Sequence, residues 1–130
     1  MTKQDHIAYW LNMSRRDWET VDVLYTGGRF LHALFFVHLA LEKLLKAHWV
    51  KDNLEDIPPA IHNLVQIYDQ TELDLSTEET DVLQGMNQYN ITGRYQDYKD
   101  KAYQRVTQHY ANEKIQECKV LRDTLLRKLQ

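Results

Sequence analysis

Glycine and proline are scarce in this sequence, with four and two occurrences in 130 residues, so the many tight turns of a sheet protein are hard to supply. An all-α class is the expectation. The lone Cys118 cannot form an internal disulfide, and no charged, apolar, small-residue leader opens the chain, which points to a reducing cytoplasm. Long hydrophobic runs are missing too. The most apolar stretch, Phe30 to Leu41, contains His32 and His38 and is too short to span a bilayer, so a soluble protein with no membrane segment is expected. There is no glycine-rich phosphate loop, no G-x-S-x-G elbow and no CxxC pair, which leaves the familiar enzyme classes without support. His6, His32 and His48 are too scattered for a metal site, and the acidic residues lack the alternation of a calcium loop. Neither a metal nor a cofactor is expected.

What is present is enough for one core. A 43% hydrophobic content over this length suits a single domain, residues 1–130. The net charge of −3 is unevenly spread. Nine acidic residues and no Lys or Arg lie between Asp52 and Asp81, whereas Lys114 to Lys128 holds five basic residues against two acidic ones. The imbalance fits either solvated helix faces or one basic surface for a phosphate-bearing partner.

Apolar periodicity divides the chain. Ile7, Leu11, Trp18, Val21 and Tyr25, widened by Trp10, Met13 and Leu24, predict a first helix over 4–26, which Gly27 and Gly28 stop and turn. A second helix is predicted from Arg29 to Lys51, apolar around most of its circumference and therefore central; the Gly-Gly link makes the first pair antiparallel. Pro58 and Pro59 close a loop from Asp52, and Pro59 is placed to open a short helix over 60–70. Ser76 and Glu79 have capping-box spacing before Val82, Leu83, Met86 and Tyr89, predicting another helix. Residues 90–104, with Gly93 and several tyrosines, read as loop or broken helix. A last helix over 105–129 presents Ala111, Ile115, Cys118, Leu121, Leu125 and Leu129. The expected architecture is an antiparallel four-helix up-and-down bundle with an additional short helix.

Three constellations could carry chemistry. His38, Glu42 and Lys46 stand four residues apart on the second helix, so the carboxylate can hydrogen-bond the imidazole and pair with the ammonium. Phe35, Leu45 and Trp49 share that stripe, so the row is either a buried network fixing helix register or a ligand-facing group with shifted proton affinities. Arg94, Tyr95, Tyr98 and Tyr103 combine a guanidinium fork for phosphate with flat rings for stacking bases, or else the tyrosines pack the loop while Arg94 pairs with Asp97 or Asp100. Arg105 and His109, read as one turn apart, could supply transition-state charge and a general base for attack by an RNA 2′-hydroxyl. His62, after the prolines, reads as a capping or packing residue.

The run from Gly28 to Ala47, ending Glu42-Lys43-Leu44-Leu45-Lys46-Ala47, resembles the second-helix signature of HEPN domains. His62-Asn63-Leu64 is similar to the family's short His-x-Leu helix, and Tyr89 with Gly93-Arg94-Tyr95 is similar to its tyrosine-rich Arg-Tyr-Pro segment. The resemblance implies a helical bundle like the substrate-binding subunit of nucleotidyltransferases, usually a homodimer. It further implies nucleotide or RNA binding, partnership with a nucleotidyltransferase protein, or, in toxin-type toxin–antitoxin branches, metal-independent RNA cleavage. Gln96 replaces the family's proline, and Arg105 and His109 enclose three residues where RNA-cleaving members have four to six. The expected protein is thus a ligand-binding or partner-binding member without catalysis, with a divergent ribonuclease using Arg94 or Arg105 and His109, or a purely structural interaction module, as alternatives.

Overall fold

The computed structural model describes residues 1–92 and 101–130, and every regular element among them is a helix. Helix α1, Lys3–Thr26, opens on a capping box in which Thr2 and Asp5 each accept a backbone N–H of the other. It closes at Gly28, whose φ of 78° is the left-handed conformation that glycine adopts without strain. Two backbone bonds lock the turn, Gly28 N–H to the Tyr25 carbonyl at 3.0 Å and Arg29 N–H to that of Leu24 at 2.8 Å.

Helix α2, Phe30–Asp52, is the axis of the molecule, with fifteen of its twenty-three residues buried. Leu34, Val37, Leu41 and Leu44 are wholly enclosed, each worth about 1.5–3 kcal/mol against exposure. Around α2 pack α1, the short α3 (Leu64–Asp69), α5 (Gln88–Thr92), α6 (Lys101–Arg105) and α7 (Gln108–Leu129), while α4 (Thr77–Met86) lies against α3, α5 and α7. The principal helices α1, α2, α4 and α7 with the extra α3 make the expected all-α bundle.

The boundaries differ from periodicity at three places. The helix opened by Ser76 ends at Met86, so Tyr89 lies on the separate α5 rather than on the same helix as Val82 and Leu83. The short helix begins at Leu64 rather than near Ala60, because the Asn63 side chain, not Pro59, supplies the cap by accepting the Gln66 N–H at 3.1 Å. The last helix begins at Gln108 rather than Arg105: Thr107 is extended and its hydroxyl caps Tyr110 N–H at 3.2 Å, so α6 and α7 are separate. Ser14 was passed over by hydrophobicity yet is buried, its hydroxyl donating to the Ala40 carbonyl at 2.6 Å where α1 crosses α2. Lys3 closes the far end of α2 by donating to the Val50 and Asn53 carbonyls, both at 2.8 Å.

Candidate functional site

Burial of four ionisable side chains, His38, Glu42, Lys46 and His48, on one helix demands compensation, since an unpaired buried charge or polar atom is costly. His48 is compensated at one ring nitrogen, its Nδ1 having no hydrogen-bond partner among the described residues. Its Nε2–H donates to the Leu125 carbonyl of α7 at 2.8 Å, and burial lowers its proton affinity despite the opposing pull of that carbonyl.

The row His38, Glu42, Lys46 is brought together as its spacing predicted, but with different bonding. Lys46 Nζ donates to Glu42 Oε2 at 3.1 Å and sits 5.5 Å from the centre of the Trp10 ring on α1. His38 Nδ1 is 3.9 Å from Glu42 Oε1, beyond hydrogen-bond length, and His38 Nε2–H instead donates to the His62 carbonyl at 3.0 Å. The imidazole that Glu42 holds belongs to His62, whose Nδ1 lies 3.2 and 3.3 Å from the two carboxylate oxygens. His62 is therefore more than a capping or packing residue. It is tied to α2 through both its backbone and its ring.

His62 is also where the buried row meets solvent. Its side chain is 48% exposed, whereas that of Glu42 is 6%. The ring lines a cavity of about 530 Å³ with Ile61, Asn63, Gln66, Asn87, Gln88 and Asn90. That volume falls within the range of small-molecule sites. Two asparagines frame it: Asn87 Oδ1 accepts Leu64 N–H at 2.7 Å, and Asn87 Nδ2 donates to Asn63 Oδ1 at 3.2 Å. Asn90 also lines the cavity, but its Oδ1 is buried away from it, with no hydrogen-bond partner among the described residues.

The other sequence candidates lie elsewhere. Arg94, Tyr95 and Tyr98 fall outside the described residues. Tyr103 packs on the main core with its hydroxyl 3.4 Å from Arg29 Nη1 and its ring edge-on to His32, toward the start of α2. Arg105 and His109 are exposed on separate helices, and His109 Nε2 pairs with Glu113 at 2.9 Å. Cys118 is buried and its thiol pushed up to about 12 by that burial, which removes it as a nucleophile. Among the described residues no group of three His, Cys, Asp or Glu side chains could hold a metal ion, and no helix is long and apolar enough to cross a membrane.

Periodicity found the row because all three members share one helix. It missed Asn63, Asn87 and Asn90 because bonds between residues some two dozen positions apart leave no periodic trace. The only available signal was the His-Asn pair following two prolines.

The family model of the HEPN domain matches residues 7–129. Among solved structures, the crystal structure of ST0689, an archaeal HEPN homologue, superposes with a TM-score of 0.73 at 17% identity, covering 95% of this chain and 98% of that one. At that identity the likeness concerns the fold alone. No curated protein matches.

Proposed function

The chain belongs to the HEPN domain family, and on that premise we propose that it is a nucleotide- or RNA-binding member whose ligand occupies the cavity between α3 and α5. The carrying observation is the cavity's lining, which among the described residues is an imidazole, five side-chain amides and Ile61, with no lysine, arginine, aspartate or glutamate. Such groups hydrogen-bond the edge of a base; they do not neutralise a phosphate. Phosphate contact and stacking fall to Arg94, Tyr95 and Tyr98, the next functional side chains along the chain after Asn90. The row on α2 serves the site indirectly, holding His62 from beneath rather than touching the ligand. Thermal unfolding of the full chain tests this: millimolar ATP or GTP raises the melting temperature by mass action, and Arg94→Ala reduces the rise. No shift with either nucleotide removes the reading.

The protein works in this reading as a homodimer that also meets a nucleotidyltransferase. Supporting a self-contact is the recess between α4 and α7, where Val82, Leu121 and Val120, the last 69% exposed, form an apolar floor bordered by Glu78, Glu79 and Glu117. Light scattering at micromolar protein distinguishes dimer from monomer. The ribonuclease alternative has one favourable observation, the carboxylate of Glu113 on His109, which is how a general base is oriented.

A further inference from the structure

A carboxylate held on Nδ1 selects one tautomer of the neutral ring. With both Glu42 oxygens within 3.3 Å of His62 Nδ1, that nitrogen carries a proton, and in the neutral imidazole Nε2 keeps its lone pair. Rotation of the ring is opposed from two sides. The Glu42 carboxylate is itself fixed by Lys46 at 3.1 Å, and the His62 backbone is fixed by the His38 bond to its carbonyl at 3.0 Å. Nε2 has no hydrogen-bond partner among the described residues, while the ring lines the cavity and is about half exposed. The result is an oriented acceptor at the cavity edge.

The neighbouring amides supply the complementary donors. Asn63 Oδ1 is occupied by Gln66 N–H and Asn87 Nδ2, which turns the asparagine so that its own Nδ2 hydrogens remain for a ligand. Asn87 spends its oxygen on Leu64 N–H and one amide hydrogen on Asn63, leaving the second. Gln88 donates to the Gly85 carbonyl at 3.1 Å and keeps its oxygen as a further acceptor. An acceptor beside donors matches a ring that shows N–H next to C=O.

From this inventory we infer that the cavity selects nucleobases with a lactam or imide edge, such as hypoxanthine, guanine or uracil, through a ring N–H donated to His62 Nε2. Adenine and cytosine present a bare ring nitrogen at the corresponding place, and two lone pairs then face each other. A mismatched base forfeits that hydrogen bond while the half-exposed imidazole returns to water, so the discrimination is modest. Glu42 is a positioning residue in this scheme, acting through His62. The inference rests on the cavity being the nucleotide site, and it adds which bases enter.

Inosine monophosphate and adenosine monophosphate isolate the point, since they share sugar and phosphate and differ only at the base edge. Titration calorimetry on the full chain is expected to show the inosine nucleotide binding about tenfold tighter. His62→Ala, a change at a half-exposed position that the fold tolerates, brings the two affinities together, and His62→Gln, whose amide can donate or accept, does the same while filling the space. Equal binding of both nucleotides to the native chain overturns the base selection and leaves the nucleotide site standing. A preference that survives in both variants overturns the role of His62. Binding of neither nucleotide at millimolar concentration removes the cavity as a nucleotide site and the selection with it.

Discussion

Two of the polar contacts that helix α2 makes with its neighbours are treated in opposite ways. Where it meets α7, His48 is fully enclosed and its Nε2–H is taken up by one carbonyl, that of Leu125, while its Nδ1 has no hydrogen-bond partner among the described residues. Where it meets the loop before α3, Glu42 is buried, but what it holds, His62, is half exposed beside a cavity. The first contact orients two helices and then disappears from the surface. The second carries the orientation of a buried charge pair out to a place where a ligand can feel it. Polarity inside a bundle therefore separates into groups that serve folding and groups that serve a site, and the separation is made by what lies on the far side of the hydrogen bond.

Substituting within the row breaks this comparison most strongly. Glu42→Gln leaves the Lys46 ammonium buried without a counter-charge, and loss of one partner of such a pair costs about 3–5 kcal/mol, read as a lowered urea midpoint. Removing both charges together sharpens the point. A double variant, Glu42→Leu with Lys46→Met, keeps volume and apolar packing, so its stability is expected within about 1 kcal/mol of the native chain. If the row served only folding, the double variant would keep ligand binding as well. The expectation is that the inosine nucleotide loses its advantage, because nothing then holds His62 by Nδ1.

His48 gives the opposite pairing of outcomes. His48→Leu leaves the Leu125 carbonyl without its donor, at about 1–3 kcal/mol, while nucleotide binding stays as in the native chain. The pH dependence carries a definite sign. Burial lowers the folded-state proton affinity of His48 below its ordinary value of 6.5, so the unfolded chain binds the extra proton as pH falls. The stability that neutral His48 contributes is complete above about 6.5 and is lost as pH falls from there through the lower folded-state value. Denaturation midpoints measured down this window should fall in the native chain more steeply than in His48→Leu. Equal slopes would place the acid sensitivity elsewhere.

The bundle was legible because its elements declare themselves locally. Gly27 and Gly28, the Ser76 and Glu79 capping box, and the leucines of α2 each act within a few residues, and the structure places helices where they say. Likewise the row was visible, since four-residue spacing on one helix fixes neighbours before any tertiary contact is known. Its bonding was not. That Glu42 takes its imidazole from His62, twenty positions on, depends on how the loop with Pro58 and Pro59 folds back over α2. The amide cavity is harder still, because Asn63 and Asn87 become partners only when the short α3 lands beside the end of α4. Arg105 and His109 show the reverse error, a spacing that looked like one helical turn until the Thr107 cap divided it.

That division sets the smallest expected effect. An arginine and a histidine cooperating on one scissile phosphate must face the same point, yet the extended residue at Thr107 ends α6 and starts α7 between them. His109 is exposed and bonded to Glu113, an i,i+4 surface pair of the kind that contributes little to stability. Arg105→Ala and His109→Ala should therefore leave the melting temperature and the inosine preference unchanged within error. Incubation of the native chain with RNA in chelator should leave the RNA intact. Should the RNA shorten, and should His109→Ala stop it, the exposed His109–Glu113 pair would be a second working histidine–carboxylate contact. The contrast between His48 and His62 would then no longer mark the one place where this bundle turns a held imidazole toward a ligand.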